Sequence, residues 1–197
     1  LSKGCKGGSH GACSDFGLLA LGGQGFTKDL PTAAALFKRA CDGSSAVGCS
    51  NLAYMQEFGQ GVPKNAAAAA LTYSKACDLD SSQCAWLGAM YQVGKAVHKD
   101  EARAIQLYQA SCKGGYVVAC AIVKAYLDPS QTLDPEQFKA YVSLWTDTCR
   151  SDSPRDCAGL GVLALTAGQP EQARSLYARS CKLGDEWGCL LRNLRPK

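Results

Sequence analysis

Twelve cysteines, all falling into pairs, constrain this 197-residue chain more than any other feature. The pairs are Cys5/Cys13, Cys41/Cys49, Cys77/Cys84, Cys112/Cys120, Cys149/Cys157 and Cys181/Cys189, five of them eight residues apart and one seven. The first cysteines of successive pairs lie 36, 36, 35, 37 and 32 residues apart. A fixed period in that range marks a solenoid of stacked repeats.

The register extends beyond cysteine. Eight residues before the first cysteine stand Ala33, Ala69, Ala104, Tyr141 and Ala173. Four before it stand Phe37, Tyr73, Tyr108, Trp145 and Tyr177. Three after the second cysteine stand Phe16, Leu52, Leu87, Val123 and Leu160. Four after it stand Gly17, Ala53, Gly88, Lys124 and Gly161. Spacings of three and four are helical. ALFKRAC, LTYSKAC, QLYQASC and SLYARSC are free of proline and rich in helix formers. Runs such as CSNLAYMQEFGQG and CAWLGAMYQVGKA end at glycine punctuation. Each repeat therefore reads helix A, glycine loop, helix B. The small residue four after the second cysteine lets the paired helices approach closely, so Lys124 predicts a local distortion.

The first cysteine of a pair lies at the end of helix B, and the second at the start of the next helix A. Antiparallel helices joined by a short loop bring these ends within disulfide range. In CDGSSAVGC, Gly43 is expected to take the left-handed conformation that ends a helix. Structural zinc sites pair cysteines two to four apart, and a thioredoxin-like redox motif needs CxxC. No CxxC occurs here. Regular pairs in even number read as disulfides, which form in oxidising compartments.

One continuous domain over 1–197 is expected, with repeats at roughly 13–48, 49–83, 84–119, 120–156 and 157–188, a cap at 189–197 and a truncated first repeat. LSKGCKGGSHGAC aligns with LYARSCKLGDEWGC, so Leu1 falls inside a helix B. The natural protein is expected to carry an upstream helix and a signal peptide. CLLRNLRPK reads as a short polar capping helix, which solenoids need to stay soluble. The net charge of +4 is spread without a basic run beyond Arg192, Arg195 and Lys197. That is a solvated surface, not a nucleic-acid footprint. No apolar stretch approaches the length of a membrane span.

The pattern of L-G, an aromatic or Met, G-x-G-V, K-D or K-N, then A-x-x-x-Y-x-x-A-C resembles the Sel-one-like repeat, a tetratricopeptide-like α/α hairpin. GQGVPKN at 59–65 and YQVGKAVHKDEARAIQLYQASC at 91–112 carry it most clearly. DPSQTLDP in repeat four and AGQPEQA in repeat five depart from it. The cysteine pair at each junction resembles the secreted Helicobacter cysteine-rich proteins. This resemblance implies an all-α solenoid, a right-handed superhelix of antiparallel helix pairs with one disulfide per repeat.

Some members of that family are described as β-lactamases or penicillin binders. A serine β-lactamase needs S-x-x-K, S-D-N and K-T-G, and none occurs here. A zinc enzyme needs several histidines, and His10 and His98 read as loop residues at unrelated positions. Asp78/Asp80 and Asp185/Glu186 read as capping or solvent-facing residues. No catalytic residue, metal site or cofactor is expected.

Helices A should line the concave side of the solenoid. Positions two, five and nine after the second cysteine fall on that face: Asn51, Tyr54 and Phe58, then Trp86, Ala89 and Val93, then Ile122 and Ala125. This apolar stripe either binds a partner, with Tyr and Trp as anchors, or packs between adjacent repeats. Buried Tyr54 and Trp86 would mean core. The sequence therefore predicts a non-catalytic scaffold that binds another protein in the bacterial periplasm or outside the cell. One form is an adaptor, or an immunity protein against a type VI secreted phospholipase toxin, as for other Sel-one-like proteins. The alternatives are a penicillin-binding or β-lactam-hydrolysing protein and an assembly factor of the mitochondrial intermembrane space. No nucleic-acid partner or transmembrane segment is expected, and the oligomeric state is open.

Overall fold

The computed structural model describes residues 2–22, 27–123, 135–150 and 153–193, and these form helices and turns with no strand. The B helices are α1 (Ser2–Lys6), α3 (Leu30–Asp42), α5 (Ala66–Leu79), α7 (Glu101–Lys113), α9 (Pro135–Arg150) and α11 (Pro170–Lys182). The A helices are α2 (His10–Gly22), α4 (Ala46–Phe58), α6 (Cys84–Val93), α8 (Val117–Ile122), α10 (Pro154–Thr166) and α12 (Glu186–Asn193). The chain is an all-α solenoid of paired helices. It divides into two compact units, 1–87 with 95–98 and 88–94 with 99–197.

In the first unit α4 packs between α3 and α5, and in the second α10 packs between α9 and α11. The small residues of helix A explain the close approach. A Cβ on Gly17 would strike the ring of Phe37, one on Gly161 the ring of Tyr177, and one on Gly88 would press on Tyr108 and Ala104. Phe37, Tyr108 and Tyr177 are buried in these hollows, and the equivalent Tyr73 is buried as well. Trp145 differs, because it sits against Gly159 of the following helix A. Lys124 and residues 128–134 of DPSQTLDP lie outside the described residues.

Helix starts are written in the sequence as caps. In the K-D and K-N pairs the second residue is the N-cap of helix B: Asp29 accepts from Thr32 N at 3.1 Å, Asn65 from Ala68 N at 3.0 Å and Asp100 from Arg103 N at 2.9 Å. Such a cap satisfies one of the amides left open at a helix start. Hydrogen bonds from the Thr32 hydroxyl and amide hold the Asp29 carboxyl below its ordinary pKa. In AGQPEQA, Gln169 makes no side-chain cap bond and α11 starts on Pro170.

All six cysteine pairs are disulfides: Cys5–Cys13, Cys41–Cys49, Cys77–Cys84, Cys112–Cys120, Cys149–Cys157 and Cys181–Cys189, with Cα separations of 4.4 to 4.7 Å. The second cysteine lies at the start of helix A, as expected. Cys13, Cys49, Cys120, Cys157 and Cys189 stand just inside their helices. Each is the fourth residue, because α2, α4, α8, α10 and α12 begin earlier, at His10, Ala46, Val117, Pro154 and Glu186. The physical reason is the tightness of the turn before them. In the second junction Ser45 already caps α4, its hydroxyl accepting from Gly48 N at 3.2 Å, so three residues of helix precede Cys49. Cys84 alone is the first residue of its helix.

The turn itself corrects one expectation. Gly43 has φ −86°, outside the left-handed region. The left-handed residue is the next one, Ser44, at φ 63°. It stands three after the first cysteine, where Gly8, Gly115 and Gly184 also have positive φ. The amide of the following residue then reaches back to the last turn of helix B: Ser45 N to Ala40 O at 2.9 Å, and Tyr116 N to Ser111 O at 3.0 Å. Gly43 is small for another reason. A Cβ there would collide with the imidazole of His10.

The seven-residue pair is the exception. Between Cys77 and Cys84 no residue has positive φ, Asp80 is extended, and a 3₁₀ turn at Ser81–Gln83 leads into α6. The missing residue is the left-handed one. An L-residue in that region costs about 1–2 kcal/mol that glycine does not bear, partly offset by the greater chain entropy of glycine. Ser44→Gly should therefore stabilise the protein by about 0.5–1 kcal/mol. Urea unfolding followed by helical circular dichroism checks this, and an unchanged or lowered midpoint would contradict it.

Candidate binding face

The structure divides the apolar stripe of the A helices. Tyr54, Ala89 and Ile122 are buried. Asn51, Phe58, Trp86 and Val93 are half-buried, and Ala125 lies outside the described residues. Tyr54 belongs to a core cluster with Ala33, Phe37 and Met55. Its ring lies 4.9 Å from that of Phe58, and its hydroxyl accepts from Gln60 Nε2 at 3.3 Å. In the first unit the surface available to a partner along this stripe therefore narrows to Asn51, Phe58 and Trp86.

Beside Phe58 lies a polar cluster that the sequence reading missed. Lys95, in the loop after α6, places its ammonium 3.3 Å from Glu57 Oε1 and 5.5 Å from the centroid of the Phe58 ring. The Tyr73 hydroxyl donates to Glu57 Oε2 at 2.9 Å. The side chains of Lys95 and Glu57 keep only 7% and 12% of their exposure. The pair ties the loop to α4 and fixes the rim behind Phe58.

The second unit repeats the tyrosine motif. Tyr108 donates to Gln92 Oε1 at 2.7 Å, and Trp187 Nε1 reaches the same oxygen at 3.0 Å. Burial pushes the Tyr108 hydroxyl well above the ordinary phenol pKa, against the opposing effect of Trp187. Glu57 and Gln92 both stand eight after the second cysteine, and the tyrosines four before the first. Comparing those two positions would have found both bonds.

Several of the other candidate polar residues make structural contacts. His10 is the first residue of α2, not a loop residue, because its ring packs over Gly43. It lines a shallow groove with Lys38, Arg39 and Asp42. Lys38 pairs with Asp42 at 2.7 Å, which lowers the Asp42 pKa, and Arg39 donates to the carbonyl of Lys6 at 3.4 Å. His98 is in an exposed loop. Asp80 caps Ser82 N at 2.8 Å. Asp185 is buried, accepts from Ser180 Oγ at 2.6 Å and caps Trp187 N and Gly188 N at 3.1 Å. Asp78 is exposed, and the Glu186 side chain lies outside the described residues. Among the described residues no three His, Cys, Asp or Glu side chains are grouped to hold a metal. No helix among them is long and apolar enough to cross a membrane.

Residues 12–45, 46–81, 84–116 and 157–185 match the Sel1 repeat. The chain belongs to the Sel1 repeat family. The stretch between the third and fourth matched copies contains DPSQTLDP, where the sequence departs from the Sel1 pattern. A Sel1 repeat protein from Oxalobacter formigenes is 27% identical, with a TM-score of 0.57 over 89% of this chain and 73% of that one. A protective antigen present in uropathogenic Escherichia coli strains, displaying the same repeat fold, is 20% identical, with a TM-score of 0.57 over 95% of this chain and 41% of that one. Helicobacter pylori cysteine rich protein B is 36% identical over 46% of this chain and 68% of its own, with a TM-score of 0.44. No curated protein matches. Sel1 repeats typically mediate protein–protein interaction and are generally non-catalytic scaffolds.

Proposed function

We propose that this Sel1 repeat chain is a non-catalytic scaffold of the bacterial periplasm or extracellular space. It holds another protein on the face that carries Asn51, Phe58 and Trp86, the side expected to be concave in a solenoid. One observation carries this reading: Asn51, Phe58 and Trp86 remain part-exposed beside a rim fixed by the buried Lys95–Glu57 pair. Aromatic side chains on a rigid support are the usual anchors of an interface. Six disulfides suit an oxidising compartment and lock the helix ends, so little order is lost on binding. An adaptor role fits this, and so does an immunity role in which the rigid face occludes a secreted phospholipase.

The test is capture from the envelope fraction of the source cell by the oxidised protein and by a Phe58→Ala/Trp86→Ala variant of unchanged circular dichroism. One protein retained at equal stoichiometry by the wild type and lost by the variant is expected. Equal retention by both would remove the proposed face. No partner together with nitrocefin hydrolysis would replace the scaffold by a β-lactam-directed function.

A further inference from the structure

The junctions differ in how deeply they hide their disulfides. Of the five bridges that a further helix B follows, Cys5–Cys13, Cys41–Cys49 and Cys149–Cys157 are buried at both cysteines. Cys77 is half-buried with a buried partner, and Cys112–Cys120 is half-buried at both cysteines. One position in the following helix B tracks this order. Two residues before that helix's own cysteine, Arg39 donates to the carbonyl of Lys6 at 3.4 Å, Lys75 to that of Cys41 at 2.8 Å and Arg179 to that of Arg150 at 3.2 Å. Each of these side chains crosses to the end of helix B in the repeat before, beside a buried bridge. The same position holds Ala110 after Cys77–Cys84 and Asp147 after Cys112–Cys120. Alanine and an ionised aspartate have no side-chain proton to give a carbonyl, and Asp147 pairs with Arg150 of its own helix at 3.4 Å.

We propose that Cys112–Cys120 is a thiol–disulfide exchange site, left open by the loss of the basic cover and opened by a dithiol while the buried bridges stay closed. Exchange requires an incoming thiolate to reach one sulfur of the bridge. The thiolate bonds to that sulfur, the S–S bond breaks, and the other cysteine leaves as a thiolate that takes a proton from water. The second sulfur of the reductant, deprotonated to water, then displaces the first cysteine, which is protonated in turn. The reductant ends as a disulfide, and the protein has gained two electrons and two protons as two thiols. The end of α7 is then no longer tied to the first turn of α8. In an oxidising compartment the bridge stays closed until such a dithiol is supplied.

Brief exposure of the oxidised chain to dithiothreitol tests this, with samples quenched by a thiol-blocking reagent and mapped by mass spectrometry while the circular dichroism is unchanged. Cys112 and Cys120 should be blocked at least about tenfold faster than Cys5, Cys13, Cys41, Cys49, Cys149 and Cys157, since access governs the exchange. Lys75→Ala should raise the rate at Cys41 and Cys49 toward that of Cys112 and Cys120. Asp147→Arg, which restores a donor at the open junction, should slow Cys112 and Cys120 and leave the other junctions as they were. Equal rates at the open and the buried bridges overturn the proposal, and so does a buried bridge that opens first. Wild-type rates in both variants overturn it as well.

Discussion

Reduction of the six disulfides should unfold the chain under conditions where the oxidised protein keeps its helices. The cysteines of each bridge stand seven or eight residues apart, and closing such a loop removes about 2–3 kcal/mol of chain entropy from the unfolded state. Domains are stable by about 5–15 kcal/mol in all, so losing six bridges removes a margin of that size even if the contributions are not additive. A hairpin of this kind cannot bury its apolar face alone and depends on its neighbours, so each opened junction weakens the stack. Removing one bridge by Cys41→Ala/Cys49→Ala should cost about 2–3 kcal/mol, because both cysteines are buried in a junction that is otherwise intact. Urea unfolding with and without reductant, followed by circular dichroism, measures both effects. An identical midpoint in the two buffers would show that packing alone holds the fold.

The second large effect is expected at Glu57 and Lys95. Both are largely withdrawn from water, so removing one charge strands the other in a poorly hydrated place. Glu57→Gln or Lys95→Met should each cost about 3–5 kcal/mol, the range for breaking a buried pair. Glu57→Gln also weakens the acceptor of the Tyr73 hydroxyl. Restoring neutrality with both substitutions should recover part of the loss, since residues in contact do not add. A double-mutant cycle in urea reads this directly. Single variants within about 0.5 kcal/mol of the wild type would mean that water reaches the pair.

The cysteine register made the helix pairing legible, and the Gly/aromatic pairs Gly17–Phe37, Gly88–Tyr108 and Gly161–Tyr177 located the packing between paired helices. Those features are local or strictly periodic. Helix starts at the junctions were less legible. Glycine and serine are frequent between paired cysteines, and composition alone does not show that the chain regains helix three residues before Cys13, Cys49, Cys120, Cys157 and Cys189. The left-handed residue was misplaced by one position because Gly43 is the first glycine after Cys41. The periodic position is the next, and in that repeat it holds Ser44. Tyr54 looked like an interface anchor because a helical period tells which side of a helix a residue occupies, not how deeply the neighbouring repeat covers it. Lys95 was invisible for a related reason. A loop lysine is normally solvated, and its burial depends on Glu57 and Phe58 of the preceding repeat. Trp187 reaches Gln92 across 95 residues of sequence, a distance that no spacing rule spans.

Stability of the stack depends on each junction being closed within itself, which requires a compartment where disulfides persist. Peptide mapping of the protein isolated from its own cells under non-reducing, thiol-blocking conditions tests this most directly. The predicted result is six linked pairs, each joining the end of one helix B to the first turn of the next helix A, with no blocked thiol. Free cysteines at these positions, or links between different junctions, would contradict it.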